Sequence, residues 1–113
     1  MSETIFTKII RKEIPADVVH EDELCLAFRD IRPQAPVHIL IIPKKQLPRL
    51  NDAGPNDKEL LGHLMLVANL VAEKEGVSDA FRLVLNNGAA AGQEIFHIHF
   101  HLLAGRGFSW PPG

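Results

Sequence analysis

QEIFHIHFHLLAG, residues 93–105, carries a histidine at every second position, at His97, His99 and His101. The alternate positions are apolar, at Phe96, Ile98, Phe100 and Leu102. Because successive side chains of a β-strand point to opposite faces, this alternation predicts a strand with its apolar residues toward the core and all three histidines on the other face. A merely solvated face would usually carry Lys, Glu, Thr or Ser, so three histidines in register favour a functional site.

A metal site is one interpretation of these histidines. Side chains two residues apart on a strand are separated by roughly 7 Å and those four apart by about 13 Å, which is more than Zn–N bonds near 2 Å can bridge. At most two of the three histidines can therefore bind one ion, and a further ligand such as His38 would be needed. Metal binding accordingly ranks second, and the sequence predicts no metal and no cofactor.

Nucleophilic attack fits the row of histidines better. An imidazole can attack phosphorus and form a covalent intermediate when its second nitrogen is held by an acceptor and neighbouring groups handle the leaving-group proton and the oxyanion charge. The preceding loop, NNGAAAGQE (residues 86–94), has glycines at Gly88 and Gly92 that let the backbone approach a ligand closely. Free N–H groups in such turns form anion-binding concavities, so the loop and the histidines together indicate a phosphate site.

The rest of the chain predicts further strands and two helices. TIFTKII (residues 4–10) has the apolar spacing of one helical face and is expected to stay helical until Pro15. A second helix is expected from Asn56, which has capping-box spacing to Glu59, as far as Glu75 before Gly76. The other expected strands are VVHEDE (18–23) and LCLAFRD (24–30), joined as a hairpin, then VHILIIP (37–43), covered on both faces, and AFRLVLNN (80–87). This order predicts an α+β domain built on a mainly antiparallel five-stranded sheet with two helices.

The second helix is apolar nearly all round. Leu66 and Leu70 fall among the polar residues of its outer side, whereas a single intrachain core would need only one apolar stripe. We infer that part of this helix packs against another subunit. His63 lies on the polar stripe and is assigned no role.

Composition limits the classes of protein to be considered. The 113 residues suffice for one compact domain, and 46% hydrophobic with 23% charged residues is typical of a globular protein. A formal net charge of −2 argues against a broad nucleic-acid surface. Neither a signal peptide nor a membrane span is expected, which favours a cytoplasmic location. The single cysteine, Cys25, is expected to pack as a small hydrophobe.

HIHFHLL (residues 97–103) resembles the histidine-triad motif, His-φ-His-φ-His-φ-φ with φ apolar. The similarity extends over nearly the whole chain, through TIFTKIIRKEIPA, CLAFRDIRPQAPVHILIIPKK, LLGHLM, NNG, GQ and the terminal WPPG. Together these segments resemble the Hint branch of the histidine-triad (HIT) superfamily, the purine nucleoside phosphoramidases. The resemblance implies one HIT domain over residues 1–113 with a C-terminal tail at 105–113. It also implies a homodimer in which the two sheets join and the helix from Asn56 to Glu75 helps form the interface.

The resemblance implies a mechanism as well. In the family the central histidine attacks the α-phosphorus of an adenosine or guanosine phosphoramidate, the amine leaves, and water frees the histidine. Aminoacyl-adenylates are further candidate substrates. The match assigns the attack to His99, the orientation of His99 to His97, a position beside the phosphate and leaving group to His101, and a supporting role to His38.

The remaining matches concern the nucleotide. Asp30 resembles the residue that binds the ribose hydroxyls. Base and sugar would be bounded by Ile31, Phe6, Ile9 and Leu40, and the phosphate and leaving group by Asn86 and Gly92. Trp110 belongs to the tail, which in this branch reaches toward the partner subunit's site. Glu94 departs from the family, whose familiar members have a serine there that helps bind phosphate, so the leaving-group preference is open.

Two other functions stay open. One is a nucleotide-binding or scaffolding protein whose turnover is incidental. The other is a dinucleoside polyphosphate hydrolase, as in another histidine-triad branch, although the WPPG tail and the short chain disfavour it. The partners expected are a purine nucleotide and a second copy of the chain, with no nucleic acid and no membrane.

Overall fold

A computed structural model of the chain describes residues 3–113. Its helices are α1 (Ile5–Ile10) and α2 (Lys58–Lys74), and its strands are β1 (Val18–Glu21), β2 (Cys25–Arg29), β3 (Val37–Pro43), β4 (Phe81–Leu85) and β5 (Phe100–Ala104). The strands form one five-stranded sheet in the order β1-β2-β3-β5-β4, and each neighbouring pair is antiparallel. The predicted α+β domain and the predicted hairpin of its first two strands are confirmed.

The two helices cover opposite faces of the sheet. Packed against α2 are buried residues of the three central strands: Cys25, Ala27, Ile39, Ile41, Phe100, Leu102 and Ala104. Packed with α1 are the residues that point the other way: Leu26, Phe28, Leu40 and Ile42. β3 is therefore buried on both faces, as its sequence, apolar except for His38, predicts. Cys25 is fully buried and packs as the predicted small hydrophobe.

α1 is six residues long, too short to be stable alone. The Thr4 hydroxyl caps it by accepting hydrogen bonds from the N–H groups of Phe6 (3.1 Å) and Thr7 (3.3 Å). Phe6 and Ile9 are buried against the sheet, which contributes about 1.5–3 kcal/mol for each such side chain. The prediction that the helix continues to Pro15 is wrong: it ends at Ile10, and Lys12 already has a left-handed φ of 65°.

α2 begins two residues later than predicted, because Pro55–Asp57 forms a 3-10 turn. The capping box expected from Asn56 is wrong, since the helix starts after Asp57. The Asp57 carboxylate is buried and accepts hydrogen bonds from the Lys45 ammonium (2.6 Å) and the Gly54 N–H (2.9 Å). It therefore fixes the loop that leads into the helix.

α2 ends at Lys74, one residue before the predicted Glu75. Gly76 follows the helix with a φ of 72°, a left-handed conformation that favours glycine at this position. On the outer side of the helix, Met65, Leu66 and Leu70 are 54%, 64% and 49% exposed. Across residues 3–113, no helix is both long enough and apolar enough to cross a membrane.

The histidine-bearing segment is a strand only in part. β5 begins at Phe100, and there the predicted alternation holds, with Phe100 and Leu102 facing α2 and His101 facing the other way. Residues 95–99 lie outside the strand, and the Ile98 N–H donates to the Leu47 carbonyl (2.7 Å). The prediction that Phe96 faces the core is wrong, because it precedes the strand and is 40% exposed.

Candidate active site

Two adjoining cavities open on the α1 side of the sheet. One, of about 540 Å³, is lined by polar and apolar groups in similar measure, and the other, of about 490 Å³, is mainly apolar. After the parts of a nucleotide that the sequence resemblance would place in them, they are called the phosphate cavity and the nucleoside cavity. Five residues border both cavities: Phe6, Asp30, Ile31, Leu40 and Ile95. The two therefore form one continuous cleft, of which the nucleoside end is the more apolar.

Most residues predicted for the site meet in this cleft. The phosphate cavity is bordered by His38, His99, His101, Asp30, Ile31, Phe6, Leu40, Asn86, Gly92 and Glu94, and the nucleoside cavity also by Ile9. His97 and Trp110 border neither cavity. Trp110 is 83% exposed, so the C-terminal tail of the single chain leaves it in solvent.

His99 is held in one tautomer by the backbone. Its Nδ1 lies 2.8 Å from the His97 carbonyl oxygen, which can only accept, so Nδ1 carries the proton and donates it. Nε2 consequently keeps its lone pair. Burial lowers the pKa of His99, so the ring is neutral at physiological pH. Because His99 borders the phosphate cavity, this arrangement presents a neutral imidazole nitrogen suited to attack.

His97 is completely buried beneath the cleft. Its Nε2 donates to the Pro43 carbonyl at the end of β3 (2.7 Å), and its Nδ1 is buried without a hydrogen-bond partner among the described residues. The Phe6 ring meets both His97 and His99 edge-on, with centroid distances of 5.8 and 5.0 Å. It is the backbone carbonyl of His97, not its ring, that bonds His99, while the His97 ring anchors the segment to β3.

His101 and His38 form a second hydrogen-bonded unit. The Gln34 N–H donates to His38 Nδ1 (3.0 Å), so the His38 proton lies on Nε2 and is donated to His101 Nδ1 (2.9 Å). The His101 proton therefore lies on Nε2, on the edge of the ring away from His38. Burial, with His99 and His38 nearby, lowers the pKa of His101 to about 4. Sequence reasoning missed Gln34, because its contribution is a backbone group.

The same unit bears on metal binding. Donor atoms of Asp30, His38 and His101 lie within 4.8 Å of one another. The site considered from strand spacing would use two of the three alternating histidines. The set found here contains only one of them, His101, together with His38 and the Asp30 carboxylate. An ion here would take the ring nitrogens that now bond each other.

The glycine loop is held by hydrogen bonds of its own. The N–H of Gly88 donates to the Gln93 side-chain oxygen (2.8 Å), and the N–H of Gly92 donates to the Ala89 carbonyl (3.0 Å). These two amides therefore bond within the loop, and an anion would have to be bound by other N–H groups of the loop, so the predicted phosphate site there stays a prediction. Gly88 and Gly92 have φ values of 91° and 99°, which explains the glycines.

Gln93 is a positioning residue that sequence reasoning missed. It is 3% exposed, and its side-chain nitrogen donates to the carbonyls of Pro48 (2.7 Å) and Ile95 (3.0 Å). Together with its bond to Gly88, it ties the loop to the segment that leads into the histidines. A lone polar residue between glycine and glutamate gives no signal of this role in the sequence.

The buried histidines make stability depend on pH. Burial lowers the pKa of His38, His97, His99 and His101, so below pH 6.5 the unfolded chain binds more protons than the folded protein. The free energy of unfolding should be fully retained above about pH 6.5 and fall as the pH drops toward about 4. Urea unfolding at fixed protein concentration measures it. His101→Asn removes one of the titrating groups and should flatten the slope; an unchanged slope would contradict this origin.

Comparison of the sequence with family models and with known proteins points to one family. The HIT domain model matches residues 11–108. An uncharacterized HIT-like protein of Synechocystis sp. is 64% identical over 98% of this chain and 97% of its own length. A protein of Zea mays named as a 14 kDa zinc-binding protein is 56% identical over 99% of this chain and 89% of its own length.

Solved structures agree on the fold. A HIT family hydrolase from Legionella pneumophila superposes with a TM-score of 0.95 at 53% identity, covering 98% of this chain and 100% of that one. A histidine triad nucleotide-binding protein from Candida albicans superposes with a TM-score of 0.83 at 30% identity, covering 96% and 83%. Together with the matching family model, these likenesses show that the chain belongs to the HIT domain family, and that its structural relatives include HIT family hydrolases.

Proposed function

We propose that the protein is a purine nucleoside phosphoramidase of the Hint type, cleaving the P–N bond of adenosine or guanosine 5'-phosphoramidates. The observation that carries the proposal is the fixed tautomer of His99, whose Nδ1–H is held by the His97 carbonyl while Nε2 keeps its lone pair beside the phosphate cavity. The names of the hydrolase and nucleotide-binding relatives support this class of activity.

The reaction has two displacements at phosphorus. His99 Nε2 attacks the α-phosphorus, a bond forms to that nitrogen, and the P–N bond to the amine breaks as His101 Nε2 gives its proton to the amine. Water then attacks the same phosphorus, the bond to His99 breaks, and the proton lost by water restores His101. The products are a nucleoside monophosphate and a free amine.

The nucleoside cavity fits the other end of the substrate. Phe6, Ile9 and Leu40 offer apolar surface for a base and sugar, and Asp30 stands where the two cavities meet. The Asp30 carboxylate accepts the Arg32 N–H (2.8 Å) and lies 3.5 Å from His38 Nε2. It is thereby fixed at the boundary, where it can accept hydrogen bonds from ribose hydroxyls.

The test is a comparison of four substrates on one preparation in the presence of a chelator: adenosine and guanosine phosphoramidates, an aminoacyl-adenylate and a diadenosine polyphosphate. AMP or GMP release from the phosphoramidates, faster than from the diadenosine polyphosphate, is expected. Tight nucleotide binding with negligible turnover of all four would instead support the scaffolding function. Preferred cleavage of the diadenosine polyphosphate would support the other histidine-triad branch.

Glu94 should set the preference for the leaving group. Glu94 borders the same phosphate cavity as Asn86 and Gly92, and across roughly 7 Å at intermediate dielectric a unit charge alters interaction energy by about 1 kcal/mol. We expect a cationic amine to leave faster than an anionic one. Glu94→Gln should shift the ratio of their kcat/KM values by about tenfold toward the anionic amine, whereas Glu59→Gln, on the exposed side of α2, should leave it unchanged. A ratio unaffected by Glu94→Gln would contradict this role.

A homodimer is part of the proposal. The exposed apolar side of α2, with Met65, Leu66 and Leu70, and the edge strand β4 lie on one subunit without a covering element among the described residues. A second copy packed here would bury these leucines and extend the sheet from β4. It would also give the exposed Trp110 a partner site to reach.

The dimer is tested by light scattering coupled to size exclusion. The double variant Leu66→Glu, Leu70→Glu should shift the protein from dimer to monomer, because each glutamate would be buried in the interface without a partner. Leu50→Glu, at a leucine 39% exposed elsewhere, should stay dimeric. A wild-type protein that is monomeric at every concentration would refute this part of the proposal.

A further inference from the structure

A second cluster of metal-binding side chains lies outside both cavities, between the β1–β2 turn and α2. His20 Nε2 and His63 Nε2 each lie 2.8 Å from the same atom, Asp22 Oδ2. Cys25 Sγ lies 3.5 Å from that oxygen. Three donor atoms, from β1, β2 and α2, thus each lie within 3.5 Å of Asp22 Oδ2.

The fold builds this convergence. Asp22 Oδ1 accepts hydrogen bonds from the N–H groups of Leu24 (2.8 Å) and Cys25 (3.0 Å), which shapes the turn and leaves Oδ2 toward the histidines. His20 precedes the turn on β1, Cys25 opens β2, and the packing of α2 on the sheet brings His63 over both. The arrangement therefore depends on tertiary structure.

We propose that His20, Asp22, Cys25 and His63 form a zinc site. Two imidazoles, a thiolate and a carboxylate are all ligands that zinc accepts in its tetrahedral sites. With bonds of about 2.0–2.3 Å, such ligand atoms stand about 3.3–3.8 Å apart, so the two histidine contacts to Asp22 need to open by about half an ångström. The separation of Cys25 from Asp22 already falls in this range, and the donor atoms of His20, Asp22 and Cys25 lie within 4.8 Å of one another.

The electrostatics of the cluster suit a cation. Burial alone would raise the pKa of Asp22, but the hydrogen bonds from His20, His63 and the turn amides together lower it, so the carboxylate is ionised. Burial and the Asp22 charge raise the pKa of the Cys25 thiol to about 12, so zinc would displace its proton to solvent on binding. The nearby cation, Lys44, is already paired with Glu21 at 2.9 Å.

The site is accessible and separate from the cleft. The side chains of His20, Asp22 and His63 are 16%, 30% and 33% exposed, which gives an ion a path from solvent. None of the four residues borders the phosphate or nucleoside cavity. A bound ion would link the β1–β2 hairpin to α2 and would stabilise the fold without entering the reaction.

Cobalt(II) added to the metal-free full-length protein is the probe, because a bound thiolate gives a charge-transfer band in the near ultraviolet. One equivalent should produce this band, and zinc should abolish it by displacement. Cys25→Ser should remove the band, and His63→Gln should weaken cobalt affinity at least about tenfold, since even outer partners of a metal site contribute that much. His38→Asn, in the cleft, should leave band and affinity unchanged.

His63→Gln keeps the test decisive if Cys25→Ser does not fold, because the His63 side chain lies on α2 and is one-third exposed. Thermal unfolding of the metal-free variants establishes that each is folded. Absence of the band in the wild-type protein overturns the proposal. So does cobalt binding that survives His63→Gln and is abolished by His38→Asn, because the ion then occupies the Asp30, His38 and His101 cluster.

Discussion

Replacing His99 by asparagine should reduce kcat/KM for an adenosine phosphoramidate by at least about 10³-fold, since loss of a covalent nucleophile can cost as much as about 10⁶-fold in kcat. The asparagine amide can still donate to the His97 carbonyl, which now accepts from His99 Nδ1 at 2.8 Å. It offers nothing in place of Nε2. The substitution therefore keeps the local hydrogen bond and removes the attacking atom, and single-turnover AMP release measures the loss.

Two controls separate chemistry from binding. AMP affinity of the His99→Asn variant, measured by calorimetry, should be close to that of the wild-type protein, because the nucleoside cavity is bordered by other residues. Wild-type protein quenched during turnover should carry a nucleotidyl group on the peptide containing His99, and the variant should not. A loss of activity below about tenfold, no more than a minor acid-base contribution, would rule out His99 as the nucleophile.

The fold was predictable where the periodicity of apolar side chains decides which face of an element is buried. β3 is apolar on both parities and is buried on both faces, and His101 alternates with Phe100 and Leu102 as a strand requires. The errors lie at the ends of the helices, where a few hydrogen bonds determine at which residue the helix begins or ends. Asp57 rather than Asn56 directly precedes α2, and its carboxylate bonds Lys45 and the Gly54 N–H instead of capping the helix.

The site was predictable in its membership and not in its hydrogen bonding. Alternation and the family resemblance bring His99 and His101 to one cleft, but they say nothing of which ring nitrogen carries the proton. That choice follows from the carbonyl of His97 and from the N–H of Gln34, whose side chains are irrelevant to it. A backbone carbonyl or N–H is present whatever the residue type, so the sequence does not show which of them bonds a histidine ring. Only the folded structure identifies these partners.

The cluster around Asp22 shows a second limit of sequence reasoning. His63 lies 41 residues from Asp22 along the chain, and on a helical wheel it is one polar residue among several. Cys25 looks like a small core residue, and it is buried as one. These metal-binding residue types come together only because α2 packs across the β1–β2 hairpin, and no periodicity in the sequence indicates that contact.

The second large effect should follow from His101→Asn. We expect kcat/KM for a phosphoramidate to fall by about 10²–10⁴-fold, the usual contribution of a group that transfers a proton. The asparagine oxygen can accept the His38 Nε2–H in place of His101 Nδ1, now 2.9 Å away, so the pair keeps its contact. What disappears is the Nε2–H on the edge of the ring that serves the leaving amine.

The leaving group makes this prediction specific. An amine expelled from phosphorus must gain a proton, whereas the carboxylate expelled from an aminoacyl-adenylate is stable without one. The His101→Asn variant should therefore lose far more activity toward the phosphoramidate than toward the aminoacyl-adenylate, while His99→Asn should lose both equally, because both reactions need the nucleophile. Rates of AMP release from the two substrates measure this difference. Equal losses in His101→Asn would mean that the ring positions the phosphate, and that the leaving amine takes its proton from water.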